Sequence, residues 1–352
     1  MFMIKIREAT ESDNPGLINL TSLTPMKGEI SIRIDRHPDF FRLLRLRGNC
    51  IVYVMEKDQE IIGSFSAAEV KCFINGKESI VHYIGDLKIH PTIQKTVYTV
   101  RLICVLYDHL LKKDADIVFC TVAYGNDEVL PFFNGRAGLP IFKNIGIFTV
   151  FQMIPFPQAG INDHYHIEQT TVDNDLLSLY NEYSKNYQFG HLLDKCSLDS
   201  AINYSIKLDG DYKAAISLVD VGDAKQNVII KLPTPIRIIV NFINSISRIV
   251  PFFHLPRPNE PIKILYVKAF AWKDDYKDAF KILIKKAMET AYRRNYSFLS
   301  IGLHEKDSLQ KSFSRKMKFT FKSIGLITSL KGNTGTIEDI INGIPFEDYS
   351  LV

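Results

Sequence analysis

The 352-residue sequence is poor in the residues that staple small secreted domains: it has five cysteines, and it has one tryptophan. Cys50, Cys72, Cys104, Cys120 and Cys196 are odd in number, widely spaced and without a Cys-x-x-Cys pair. Most lie among apolar neighbours, as in Leu102-Ile103-Cys104-Val105 and Ile117-Val118-Phe119-Cys120. They read as buried free thiols in a reducing compartment, which argues against a disulfide scaffold or a zinc site. An excess of one charge is also missing. Forty-three Lys and Arg against 39 Asp and Glu leave +4, too little for a protein that coats nucleic acid, although a local basic pocket for a phosphorylated small molecule stays open. No apolar run is long enough to span a membrane. The start, Met1-Phe2-Met3-Ile4-Lys5-Ile6, enters a strand-like pattern without the apolar core of a secretory signal, so the chain is expected to be cytoplasmic. Gly-x-Ser-x-Gly, Walker and His-Glu-x-x-His motifs are lacking.

What is present describes an ordinary globular chain. Apolar residues make up 46% and charged residues 23%, unlike disordered, collagen-like or coiled-coil sequences. The length favours two domains, and the sequence repeats itself. Val100, Ile103, Cys104, Tyr107 and Leu111 form an amphipathic stripe between strand-like runs at 83–89 and 117–122. Then, 180 residues later, Phe280, Leu283, Ile284, Ala287 and Ala291 carry the same stripe between runs at 262–272 and 298–303. Each half is therefore expected to hold a strand–helix–strand crossover between parallel strands. The unit starts correspond as well. Residues 4–10 lead to Ser12 and Asp13 as caps of a helix through Leu17, Ile18 and Leu20. Residues 164–170 lead to Asp173 and a helix through Leu176, Leu177, Leu179 and Tyr180. Here the offset is about 161, which gives the second copy roughly nineteen extra residues.

Residues 234–250 are the expected insertion. Ile236, Ile239, Val240, Ile243 and Val250 share one face, Arg237, Asn241, Asn244 and Arg248 lie elsewhere on the wheel, and Pro235 and Pro251 punctuate the ends. A helix packed on its own domain is the plain expectation; a lid or a helix on a membrane surface is the functional one. Residues 155–163, rich in Pro, Gly and Asn, read as the linker. Turns are expected at Asp58-Gln59 and Asn75-Gly76, and strands at 212–219 and 227–232 around Gly222-Asp223. Each half thus reads as mixed α/β, antiparallel strands first and a parallel crossover afterwards.

That order, with the local sequence, resembles the GNAT superfamily of N-acetyltransferases over residues 4–154 and more weakly over 164–330. Ile6-Arg7-Glu8-Ala9-Thr10-Glu11-Ser12-Asp13 looks like the opening strand and capped first helix. Asp86-Leu87-Lys88-Ile89-His90-Pro91 looks like the central fourth strand, which leads to the pyrophosphate loop. Asn126 and Phe132-Phe133-Asn134-Gly135-Arg136-Ala137-Gly138-Leu139 resemble the fourth helix and its turn, and residues 142–154 the last two strands. The resemblance implies an α/β fold of two tandem GNAT-like domains, at 1–156 with the acyl-CoA site and at 163–352 as a degenerate copy. It implies acyl transfer from acetyl-CoA or a related acyl-CoA to a small-molecule or peptide amine held between the domains, with no metal and no nucleic acid. In the family two parallel strands part around pantetheine, and the pyrophosphate meets N–H groups at the start of the next helix. Carried onto this chain, the cofactor-binding residues are Leu87, Lys88, Ile89, Gln94, Lys95, Thr96, Val97, Tyr98, Thr99, Asn126 and Phe133.

The family loop reads Gln/Arg-x-x-Gly-x-Gly/Ala. Here Gln94 is kept, Lys95 adds positive charge, and Val97 and Thr99 replace the small residues, which predicts crowding and resistance to positive φ. Phe133 stands where a Tyr often protonates the leaving thiolate. In the second copy Asp274 and Asp275 face the expected phosphate position and argue against cofactor binding, leaving that half to shape the acceptor pocket or stabilise the first. Asp86 or His82 is the candidate general base, each also readable as a structural residue, with Tyr83 beside them. Glu29, Arg33, Arg36 and Asp39 are candidates for acceptor contact. Residues 40–47 suit an amphipathic helix with its arginines on the wet face better than a nucleic-acid patch. His164 and His166 share a strand face but lack a third ligand, so they read as surface. The competing reading is a catalytically inactive GNAT-fold binding or interaction module.

Overall fold

The computed structural model describes residues 4–24, 31–94, 96–157, 165–231, 233–246, 256–314 and 316–352. The first half runs β1 (Lys5–Glu8), α1 (Asn14–Leu23), β2 (Ser31–Asp35), α2 (Phe40–Arg47), β3 (Cys50–Lys57), β4 (Glu60–Ile74), β5 (Lys77–Ile89), α3 (Val97–Lys112), β6 (Ile117–Ala123) and β7 (Lys143–Met153). The second runs β8 (Ile167–Gln169), α4 (Asn174–Ser184), β9 (Gly190–His191), α5 (Lys195–Leu198), β10 (Ile202–Leu208), β11 (Asp211–Val219), β12 (Gln226–Lys231) and α6 (Thr234–Ile246). It closes with β13 (Pro261–Ile262), β14 (Ile264–Trp272), α7 (Lys277–Arg293), β15 (Phe298–His304), β16 (Lys318–Ser329) and α8 (Thr334–Asn342).

Local chemistry explains most of these elements. The β3–β4 and β4–β5 turns place Asp58, Gln59, Asn75 and Gly76 at φ of 52°, 67°, 52° and 71°, the left-handed pair that joins strands by two residues. Asp173 caps α4 by accepting from the Leu176 N–H at 2.8 Å. The stripe of α7 is buried throughout: Phe280, Leu283, Ile284, Ala287 and Ala291 are at most 4% exposed. The stripe expected for α3 is rotated. Leu102, Leu106 and Leu110 form its buried centre, and Leu111 is 49% exposed, because the burying sheet meets the helix one position away from the apolar series chosen.

Thirteen strands form one sheet in the order β1-β3-β4-β5-β6-β16-β7-β15-β14-β11-β10-β8, with β9 bonded to β4. The pairs β5–β6 and β14–β15 are parallel, as the two crossovers require. The middle of the sheet is crossed over. β16, from the second half, lies between β6 and β7; β7, from the first, lies between β16 and β15. A second sheet, β13-β12-β2, also joins the halves.

Several expectations change. Residues 142–154 form the single strand β7 rather than two. The fourth helix is replaced by two 3₁₀ turns, Leu130–Phe133 and Arg136–Gly138. Pro131 lacks a donor, and Gly135, Ala137 and Gly138 take φ of 78°, 56° and 78°, so no α-helix can run through. The strands expected around Gly222-Asp223 both form, yet β12 pairs with β2 and β13 instead of β11. Arg42 and Arg45 of α2 are exposed, but the Arg47 side chain is 1% exposed and turned into the protein.

Candidate active site

The β5–β6 ladder is two residue pairs long, His82↔Val118 and Tyr83↔Phe119. Past it the strands part. β6 continues with β16 on its other edge, and β5 with β4. Among the described residues, the facing edges of residues 84–89 and 120–123 have no strand partner, so their backbone donors and acceptors are left for something else. The β14–β15 ladder behaves alike, with three pairs ending at Tyr266↔Ser300.

A bulge shapes the first parting. Ser64 pairs with Lys88 and Ser66 with Gly85, so Asp86 and Leu87 oppose Phe65 alone, and Asp86 takes φ of 51°. Two β4 hydroxyls hold it: Ser64 donates to the Asp86 carbonyl and Ser66 to the Gly85 carbonyl, both at 2.9 Å. The Asp86 carboxylate accepts from Arg36 and from Ser66, each at 3.3 Å. Arg36, 3% exposed, also donates to the Phe40 carbonyl at 2.6 Å. Burial pulls the neighbouring Lys88 ammonium below its usual range, and Asp86 opposes that pull.

Side-chain alternation separates the other two candidates. Tyr83 packs with Phe119, Phe189 and Ile337; its ring lies 3.6 Å beneath the Arg47 guanidinium, and its hydroxyl reaches Thr121 at 3.1 Å. Tyr83 thus spans the parting at its closed end. Neighbouring Ile84 packs instead against Leu102, Ile103 and Leu106 of α3. His82 shares that opposite face, buried, with Nδ1 unpartnered among the described residues and burial lowering its basicity.

The described residues expected to meet a cofactor lie on β5, in the turn after it, in the first turn of α3 and in the segment after β6. Leu87 and Ile89 pack towards α3. Gln94 turns back to the Ile89 carbonyl at 3.4 Å. Thr96 holds the N-cap position of α3 in extended backbone without a side-chain cap bond, Val97 is 66% exposed, Tyr98 lies under Arg101, and Thr99 is buried with a hydroxyl that has no partner among the described residues. None of the described residues 94 and 96–99 has positive φ, so the β-branched residues fit without the strain expected of them. Asn126 sits in the turn after β6, its N–H donating to the Ala123 carbonyl at 3.0 Å. Phe133 is buried edge-on to Phe142 at 4.9 Å. Arg33 lies opposite Val228 in the strand pair joining the halves, and Asp39 caps α2 through the Phe41 N–H. Glu29, Lys95 and His164 lie outside the described residues.

Sequence reasoning missed a buried charge cluster. Residues 347–351 thread between the halves and pair with distant cations: Glu347 with Arg47 at 2.9 Å, Asp348 with Lys268 at 3.1 Å, and the carbonyls of Leu351 and Tyr349 with Arg47 and Lys225. Burial tends to raise the Asp348 carboxyl, but Lys268 and His191 prevail and hold it at about 2. Burial pushes Glu347 up to about 7 against Arg47, Lys225 down to about 7, and His191 down to about 4. The cluster borders a cavity of about 900 Å³ whose lining includes Glu8, Arg42, Arg45 and Glu69 as well as Asp194, Ser197, Asp220 and Asp223.

Glu347 and His191 act oppositely on stability. From the ordinary 4.5 to about 7 the folded chain keeps a proton on Glu347 that the unfolded chain loses, so this contribution is lost as pH rises through about 7. Between about 4 and the ordinary 6.5 only the unfolded chain charges His191, so that contribution is lost as pH falls through about 4. His191→Gln removes the second and leaves the first. Thermal unfolding midpoints of the variant should decline from pH 4.5 to 7 more steeply than those of the parent; parallel curves would contradict the assignment.

The parted parallel strands, the bulge on the central one and the helix that starts beyond it decide the architecture. The fold is GNAT-like. Comparison with solved structures agrees. The N-myristoyltransferase of Saccharomyces cerevisiae with bound myristoyl-CoA matches with a TM-score of 0.59 and 12% identity over 92% of this chain and 82% of that one. A GCN5-related N-acetyltransferase from Anabaena variabilis gives 0.51 and 11% over 92% and 72%. A probable N-acyltransferase of Enterococcus faecalis gives 0.53 and 8% over 94% and 74%. No protein-family model and no curated protein matches the sequence. Among the described residues there is no group of three or more metal-ligating side chains, and no helix is long and apolar enough to cross a membrane.

Proposed function

We propose that this GNAT-like chain is an N-acyltransferase that moves an acyl group from acetyl-CoA or a longer acyl-CoA to an amine in the cleft between its halves, taken as domains at 1–156 and 163–352. The observation that carries the reading is the β5–β6 parting, whose free backbone edges suit the amides of a pantetheine arm. The N–H groups at the start of α3 suit a pyrophosphate. The acyl-CoA supplies the thioester. Leu87, Lys88 and Ile89 would flank it, and residues 94–99 would hold its phosphates.

Asp86 is the group we assign to the proton of the attacking amine, because it stands at the bulge on the same strand. Burial raises the pKa of Tyr83, so its hydroxyl stays protonated and can donate a hydrogen bond to the departing thiolate without giving up its proton. This offers a role that Phe133 cannot fill. His82, on the α3 face, is the remaining base candidate. The second parting suits a cofactor less well. Phe270, Trp272 and Phe280 pack beside it, and Asp274 and Asp275 precede α7. A binding module without catalysis is the second reading, favoured by the burial of Phe133 where the family often carries a Tyr.

Calorimetry with CoA tests the site. Val97→Asp places a carboxylate in the first turn of α3, where it favours the helix but repels phosphate. It should weaken CoA binding about tenfold, worth about 1.4 kcal/mol, without loss of thermal stability. Parent protein that fails to bind millimolar CoA would refute the acyl-CoA site.

A further inference from the structure

We propose that α6 docks this protein on an anionic lipid surface, an inference independent of the acyl-transfer reading. Pro235 stands at the helix start, and the Arg237 N–H closes the first turn on the Pro233 carbonyl at 2.9 Å. Val240 and Asn244, one turn apart, are 5% and 3% exposed and mark the side resting on the protein. Ile238 and Phe242, also one turn apart, are 62% and 65% exposed. At 100° per residue the two pairs lie about 160° apart. The helix therefore turns a polar asparagine inward and a large aromatic residue outward, the reverse of what water on its outer side selects.

Charge names the occupant. Residues 224–259 contain five Lys and Arg and no Asp or Glu, in a chain whose totals are 43 and 39. Among the described residues of that segment, Lys231, Arg237 and Arg257 are exposed, with Lys231 just before the helix and Arg237 on it. An acid-free basic segment beside an outward Ile–Phe pair is complementary to negatively charged headgroups above an acyl boundary. The thirteen described residues of α6 are too few to span a bilayer, which takes about 20, and the outward Ile–Phe pair suits a helix lying in the interfacial plane. α6 directly follows β12, whose pairing with β2 ties it to both halves, so docking would orient the whole molecule.

The test is co-sedimentation of the full chain with phosphatidylcholine vesicles, with and without about 30% phosphatidylserine. Binding should require the anionic lipid and weaken as salt rises. Ile238→Ser with Phe242→Ser should reduce it about tenfold or more with an unchanged unfolding midpoint, since both side chains are exposed. Lys231→Glu with Arg237→Glu should reduce it as well. Failure of the parent to bind anionic vesicles, or equal binding by the serine variant, overturns the proposal. So does a concentration-dependent dimer that the serine variant abolishes, which would assign the face to a second copy of the chain.

Discussion

Replacing Arg47 by alanine is expected to lower the thermal unfolding midpoint by about 4–7 °C, corresponding to a loss of about 3–5 kcal/mol. The Glu347 side chain has no exposure, and its second oxygen lacks a partner among the described residues. Removing the guanidinium strands a buried carboxyl group and withdraws the cation stacked on Tyr83. The pair itself contributes little net stability, so Arg47→Met combined with Glu347→Leu should recover most of the loss. Arg45→Ala on the exposed side of the same helix should cost under about 1 kcal/mol. Equal midpoints for the Arg47 and Arg45 variants would remove the buried pair from the account.

Asp86→Asn is expected to slow acyl transfer by about 10²–10⁴-fold while CoA binding holds within about twofold. Thiol release from acetyl- and longer acyl-CoA, with a panel of amines and peptides, is the measurement. Asparagine keeps the shape and tolerates φ of 51°, so the bulge survives; what goes is the ability to take a proton. A structural role predicts the opposite pattern, a lower unfolding midpoint caused by an unpaired buried Arg36 and a turnover number unchanged in the molecules that fold. Retained turnover would take Asp86 out of the chemistry. His82→Gln, on the other face of β5, would then be the variant to examine.

Short-range features were legible in the sequence. Asn75-Gly76 marks a hairpin because its backbone demands positive φ, and the α7 stripe marks a buried face because five apolar residues recur at helical spacing. The parting of β5 and β6 followed from resemblance; that His82 and Tyr83 take opposite faces of β5 came from the structure. Long-range features were not legible. Arg47 looked like one more arginine on a wet helix face, because the partner that draws it inward is 300 residues away. The bulge at Asp86 depends on serine hydroxyls from β4, and serines alternate in many strands. The missing fourth helix was signalled by Pro131, Gly135 and Gly138, which the likeness to a family pattern overrode.

The interleaving of β7 and β16 bears on how the molecule is made. While the ribosome builds the second half, β6 and β7 have no neighbour to zip them together, for the strand that belongs between them is encoded at residues 318–329. The nascent first half therefore waits with one raw border on β6 and two on β7, the kind of surface that invites misassociation. Completion comes only when β15 and then β16 are made, and from then on neither half can be pulled away without tearing the other's sheet.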